Sequence, residues 1–230
     1  MSRPAARRRY RPSAPRWYLS AVADLDTIRS RDPSVLSRGE ALLHPALPAV
    51  WGYRVAHRLH RRGLRRLARL LSNTARVASG GVEIHPGARI GRGFFVDHGA
   101  GTVIGETAVI GDDVTLFHQV TLGSTGWWHD PSGPAGGRRH PVVGDRVVIG
   151  AGAAVLGPVT VGSDTVIGAH ALVLRDVPED SRVLAPVATP RRTGGRRSVT
   201  RRAAVRPAPA RTAAGAPPRT TATVTAFPTW

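Results

Sequence analysis

From Ile84 onward an aliphatic residue recurs every six positions: Ile84, Ile90 and Val96, then Ile104, Ile110, Leu116 and Leu122. After a gap the beat resumes through Val143, Ile149, Val155, Val161, Ile167 and Val173. Glycine often follows directly, as at Gly91, Gly105, Gly111, Gly144, Gly150, Gly162 and Gly168. Four positions after the aliphatic comes a small or β-branched residue, such as Ala88, Ala108, Val120, Ala153, Thr165 or Ala171. A six-residue period matches neither the α-helical repeat nor simple strand alternation. It predicts a short flat strand plus a turn, three units closing one triangular coil of about eighteen residues. The aliphatics point inward and stack on those of the next coil, and the small residues fill the space between. One unit cannot bury its own face, so stacking is obligatory. The prediction is a parallel β-helix over residues 79–190.

Two breaks in the beat stand out. Val96 and Ile104 are eight residues apart, which predicts a two-residue bulge in that coil. Leu122 and Val143 are twenty-one apart, which predicts a loop, residues 123–142, leaving the coil. Loops on a rigid repeat scaffold are where chemistry tends to sit. Upstream, residues 17–78 place Leu25, Ile28, Val50, Val55, Leu59, Leu67, Leu70 and Leu71 at roughly helical spacing, with Pro33, Pro45 and Pro48 as breaks. A small α-helical region of short helices is expected there. Residues 1–16 and 191–230 are rich in Arg, Pro, Ala and Thr and too poor in large aliphatics to order themselves.

Composition narrows the chemistry. There is no cysteine, which removes disulfides, thiolate zinc sites and a cysteine nucleophile. No secretory signal or long apolar run is visible, so a cytoplasmic protein without a membrane span is expected. The net charge of +18 points towards a polyanion partner, but all 33 basic residues are Arg, which looks as much like a coding bias as a functional choice. Much of the charge sits in the two tails, and the interleaving of aromatic and basic residues typical of base stacking is absent, so nucleic acid is not the expected partner.

Short motifs then specify more than the repeat does. Val82–Gly91 (VEIHPGARIG), Val96–Val109 (VDHGAGTVIGETAV), Val120–Gly126 (VTLGSTG), Arg139–Pro141 (RHP) and Ile149–Gly162 (IGAGAAVLGPVTVG) resemble the hexapeptide-repeat acyltransferases, and within them the serine O-acetyltransferases. Arg31-Asp32-Pro33 and Tyr53–His57 match the helical part of that family. The resemblance covers roughly residues 22–180 and implies a left-handed coil. It also implies the reaction: acetyl transfer from acetyl-CoA to the L-serine hydroxyl, with no permanently bound cofactor and no metal.

Such a transfer needs a base for the attacking hydroxyl, a grip on the amino acid and a donor for the developing oxyanion. The resemblance puts the base at His98, within the bulge; the ordinary imidazole pKa of about 6.5 suits proton transfer near neutrality. Glu83, close to one coil earlier, matches the carboxylate partner that fixes the imidazole tautomer. Asp97, Asp32, Arg139 and His140 match the residues that bind the amino acid, carboxylates for its ammonium and Arg for its carboxylate. His118 occupies the slot of His98 one coil later, where the family commonly has Gln, and is a possible accessory. Acetyl-CoA is expected along the later coils, against Gly150, Ala151, Gly152, Gly168 and Ala169. The end segment Leu184–Arg192 departs from the family pattern.

Other readings compete. His85, His98, His118 and His140 could supply three ligands to a metal, as in hexapeptide-repeat carbonic anhydrases. The Trp127–Gly137 loop (WWHDPSGPAGG) could cover the site or widen the acceptor range to a sugar or another small hydroxyl compound. An Arg-rich polyanion binder is the non-enzymatic alternative. A homo-oligomer is expected, a trimer before a hexamer. Docking on the sulfhydrylase that follows such enzymes is doubtful, because the chain ends in Trp230 rather than Ile.

Overall fold

A computed structural model describes residues 21–126 and 137–188. One compact unit ends at Val187, and a second spans Ala188–Trp230, of which only Ala188 is described. The Arg-rich terminal segments and residues 127–136 of the long loop lie outside the described residues.

The six-residue beat becomes fourteen short strands on three faces, all paired in parallel. The first face stacks β1 (Glu83–Ile84), β4 (Val103–Ile104), β7 (Thr121–Gly123), β10 (Ala154–Leu156) and β13 (Leu172–Val173). The second stacks β2 (Arg89–Ile90), β5 (Val109–Ile110), β8 (Val142–Val143) and β11 (Thr160–Val161). The third stacks β3 (Phe95–Val96), β6 (Thr115–Leu116), β9 (Val148–Ile149), β12 (Val166–Ile167) and β14 (Arg182–Val183). Each strand from β1 to β10 pairs with the third one after it, and β12 pairs with β14, so the chain winds as a triangular prism. Ile104 lies against Leu122, one regular coil of eighteen residues, whereas Ile84 against Ile104 spans twenty and carries the bulge. Leu122 lies against Val155 across thirty-three, so fifteen residues are inserted. All thirteen beat aliphatics are buried, from Ile84 to Val173, and Ala88, Ala108, Val114, Val120, Val147, Ala153 and Thr165 fill the spaces between them. The beat continues past Val173 in a shortened coil, through Val177 bridged to Val161 and Val183 paired with Ile167.

The helical region holds α1 (Ala21–Arg31), α2 (Arg38–Ala41), α3 (Leu47–Arg61) and α4 (Arg65–Ala78). Leu25, Ile28 and Val50 are buried as their spacing suggests, but Val55, Leu67 and Leu70 are exposed. The seam between α3 and α4 is made of small residues instead. Ala68, Ser72 and Ala75 are buried, and a Cβ on Gly52 would collide with the Cβ of Ala75. Close helix approach leaves no room for leucine there.

This region closes an exposed edge. Neighbouring coils exchange backbone hydrogen bonds in both directions: Glu83 N–H donates to Thr102, and Gln119 N–H to Ala100. The first coil has no coil beneath it, so its outer backbone groups face away from the prism, and the buried carbonyls among them need donors. Tyr53 Oη donates to Ala88 at 2.7 Å, Ser72 Oγ to Ile84 at 2.7 Å, and His57 Nδ1 to Pro86 at 2.8 Å. Three helix side chains thus finish the ladder.

Candidate active site

His98 stands on the corner where the third face turns into the first. The two extra residues of the bulge are spent there. His98, Gly99 and Gly101 all take left-handed backbone, with φ of 57°, 80° and 73°. A Cβ on Gly99 would meet Val82 at 2.5 Å, so the bulge can fold back only on glycine. The result lifts the His98 side chain into solvent, 74% exposed.

The register builds a ridge above it. Val96, Leu116, Ile149 and Ile167 are successive partners on the third face. Two residues beyond each come His98, His118, Ala151 and Ala169. His170 N–H donates to Ala151 and Gly152 N–H to His118, so the last three rise in line, one coil of about 4.8 Å apart, with His98 on the bulge below them. The rings of His98 and His118 meet edge to face with centroids 6.0 Å apart, and His118 Nδ1 is buried with no hydrogen-bond partner among the described residues. Higher up, the ridge is flat. A Cβ on Gly150 would stand 2.6 Å from Ala169 N, and one on Gly152 2.6 Å from the His170 ring. Side chains are kept off the ridge by that crowding.

Acidic groups face His98 from two directions. Asp97 Oδ1 lies 3.6 Å from His98 Nε2, a charge contact too long for a hydrogen bond. Asp32 follows α1, and its carboxylate accepts from Ser34 N at 2.9 Å and Ser34 Oγ at 2.7 Å. Those bonds hold its pKa below the usual carboxylate range, with His44 and His98 adding to the effect. Arg31 pins this turn to the prism, donating to Thr115 Oγ1 at 2.6 Å and pairing with Asp113 at 3.5 Å. His44 completes the group. It is buried against Phe95, with ring centroids 5.5 Å apart; burial lowers its pKa, while Asp32 and Asp97 oppose that.

Glu83, expected as the partner of His98, is engaged elsewhere. It lies on β1 beneath this corner, and its carboxylate pairs with Arg76 of α4 at 3.3 Å. Among the described residues no contact joins it to His98, and the carboxylate beside the His98 ring is that of Asp97.

Arg139 and His140 sit at the other end of the first face, where it turns into the second. Here the long loop rejoins the coil directly over Gly105-Glu106-Thr107-Ala108. The Thr107 hydroxyl accepts the N–H groups of Arg139 at 2.9 Å and His140 at 3.0 Å, and lies 2.8 Å from His140 Nδ1. Thr107 N–H also donates to Nδ1, at 3.2 Å. The imidazole covers Gly105 so closely that a Cβ there would collide with His140 Cδ2. Arg139 Nη2 meets Glu106 Oε2 at 3.1 Å. One coil below, His85 lies edge-on to His60 with centroids 6.0 Å apart, and burial, helped by Arg69, pushes its pKa down to about 4.

The sequence-expected residues therefore fall into two half-sites at opposite ends of one prism face. Asp32, Asp97, His98 and His118 gather at one corner, with Gly150–Gly152 and Gly168–Ala169 continuing its ridge. Arg139 and His140 gather at the other. Within one copy, this division separates His85 and His140 from His98 and His118. Two contributors escaped the sequence. His44 carries no local signal, because only tertiary packing brings it to Asp32. Thr107 lies in plain view within GETA, but its partner is thirty-three residues away.

Comparison with known proteins gives this arrangement a family. Residues 140–175 match the bacterial transferase hexapeptide (six repeats) family. The chain is similar to the serine acetyltransferase of Mycobacterium tuberculosis, 51% identical over 162 residues covering 70% of this chain and 67% of the relative. It is likewise similar to that of Helicobacter pylori strain 26695, 52% identical over 158 residues covering 68% of this chain and 88% of the relative. Among solved structures it resembles the Neisseria gonorrhoeae serine acetyltransferase in complex with serine, with a TM-score of 0.64 and 40% identity over 74% of this chain and 66% of that one. The fold is accordingly the left-handed parallel β-helix of hexapeptide-repeat transferases. With half of its residues shared over most of its length and the same coil beneath them, the chain belongs to the serine acetyltransferase family.

Proposed function

We propose that this chain transfers the acetyl group of acetyl-CoA to the hydroxyl of L-serine, giving O-acetylserine for cysteine biosynthesis. One observation carries the reading: an exposed histidine is lifted from a glycine bulge, beside two carboxylates, at the foot of a flat ridge of small residues. His98 takes the proton from the serine hydroxyl as that oxygen attacks the thioester carbonyl. The tetrahedral adduct collapses, the C–S bond breaks, and the imidazolium returns its proton to the departing CoA sulfur. Asp32 and Asp97 hold the ammonium of serine, and Arg139 and His140 hold its carboxylate. Asp97 or Glu83 stabilises the imidazolium; Glu83 serves once Arg76 releases it. Acetyl-CoA lies along the ridge at Gly150, Ala151, Gly152, Gly168 and Ala169, where the missing side chains let backbone approach.

The two half-sites are a full prism face apart, so one serine reaches both only where two copies meet. This supports a homo-oligomer, a trimer first, with the corner of one copy facing the opposite corner of the next. Among the described residues no helix is long and apolar enough to cross a membrane. We place the reaction in the cytoplasm, where acetyl-CoA is available.

The test is CoA-thiol release from acetyl-CoA with L-serine, set against sugars and other hydroxy amino acids, for the native chain and His98→Ala. Serine-dependent release that the substitution removes supports the proposal. Release with another acceptor but not serine moves the chain to a different hydroxyl substrate. No release from the folded oligomer ends the enzymatic reading.

A further inference from the structure

We infer that Thr107 is a positioning residue that fixes the tautomer and orientation of His140. This rests on the proposal above that His140 grips the acceptor. A threonine hydroxyl has two lone pairs and one proton. Both lone pairs are taken here by the N–H groups of Arg139 and His140. The only proton left points along the 2.8 Å contact to His140 Nδ1. Thr107 N–H donates to the same nitrogen. Nδ1 thus receives two donors and must keep its lone pair, which puts the ring proton on Nε2 and makes that nitrogen the donor. An imidazole protonated at Nδ1 would turn a proton towards two others.

The same hydroxyl anchors the loop. The chain is back on the coil at Arg139, and Thr107 receives the backbone N–H groups of Arg139 and His140 there. Glu106 holds the Arg139 guanidinium from the same turn. Gly105 leaves the ring its place, and Ala108 is fully buried beneath. The four residues of GETA therefore each have a task towards RHP: space, charge, hydrogen bonds and core. Threonine is needed for the third, because valine matches its shape and offers neither donor nor acceptor.

The experiment compares the native chain with Thr107→Val and Thr107→Ser, using steady-state kinetics in both substrates and side-chain nitrogen NMR of histidine, the His140 signals assigned with His140→Gln. The native protein should show His140 protonated at Nε2 alone. Thr107→Val should lose about 10- to 100-fold in kcat/KM for serine, the scale of a misplaced binding group, with the KM for acetyl-CoA unchanged and both tautomers populated. Thr107→Ser should recover to within a few-fold and restore the single tautomer. A native His140 protonated at Nδ1 overturns the inference without any variant. So does a Thr107→Val protein with unaltered serine kinetics, or one in which both substrates suffer equally while the tautomer stays. If the native chain releases no thiol with serine, the acceptor proposal fails, and the tautomer measurement decides the role of Thr107 by itself.

Discussion

A trimer of this chain should regain activity when two inactive variants are mixed. His98 lies at one end of the first face and His140 at the other. Between His118, directly above His98, and the corner where His140 sits, the chain crosses that face along β7. Five residues of extended strand span roughly 16 Å at about 3.3 Å each. Serine reaches about 5 Å from hydroxyl to carboxylate, little more than one residue of extended chain. No single copy can therefore present both histidines to one serine. His98→Ala should lose about 10²–10⁴-fold in kcat as a missing general base, and His140→Ala should raise the serine KM. Co-expressed with two different tags and purified through both, the variants yield only mixed trimers. Whichever the composition, two of one and one of the other leave one junction of three with both histidines intact. The mixed trimers should show about one third of native activity. The assay is thiol release with acetyl-CoA saturating and serine well below the KM of the His140→Ala protein, with melting curves to verify folding. If the mixture stays at the level of the single variants, the half-sites act within one copy, and the geometric argument is wrong.

Three further outcomes follow from the same geometry. Tyr53→Phe leaves the buried Ala88 carbonyl without its donor; this should cost about 1–3 kcal/mol and lower the melting temperature by several degrees, and an unchanged melt would refute the role of the helices as an edge cap. Asp97→Asn and Glu83→Gln separate the two candidate partners of His98: the variant that lowers kcat more identifies the carboxylate that stabilises the imidazolium. Stability should fall as pH drops from about 6.5, the unfolded value for histidine, to about 4, the value for folded His85. In that window the unfolded chain binds more protons than the folded one; His44 and His57, also lowered chiefly by burial, act in the same direction. Urea unfolding at pH 7 and pH 5 measures this, and a flat profile would contradict the burial of these rings.

The coil was legible because its physics is local and repeated. Each six-residue unit meets the same neighbours above and below, so one period states the whole core, and the two departures from it mark the bulge and the loop. The bulge at His98 was legible for the same reason, since glycines clustered beside an off-beat residue mark a departure from the flat coil; the role of His98 as base came from the family resemblance. What was hidden depends on register across an insertion. Thr107 meets His140 only because fifteen inserted residues bring RHP back directly over GETA. His44 meets Asp32 only because α1 and the loop before α3 pack on Phe95. The leucines of α4 suggested its buried face wrongly. Helical spacing gives a stripe but not which stripe, and close approach to Gly52 selects the alanine side.

The open edge of the first coil explains why a catalytic prism carries helices at this end. The first turn has no coil beneath it, and the buried carbonyls of Ile84, Pro86 and Ala88 there need donors. Tyr53, His57 and Ser72 supply them from helices that could have docked anywhere along an apolar end. Once docked, α3 holds α1 in turn, because the Arg54 guanidinium pairs with the Asp24 carboxylate of α1. Arg31 ties the end of α1 to Thr115 and Asp113, and Asp32 is thereby held beside His98. The cap and the substrate wall are thus one body. A change that loosens the cap, such as Ser72→Ala, should reach catalysis through the position of Asp32, raising the serine KM before it affects kcat. A change within the later coils, far from the helices, should leave the serine KM alone and act on acetyl-CoA.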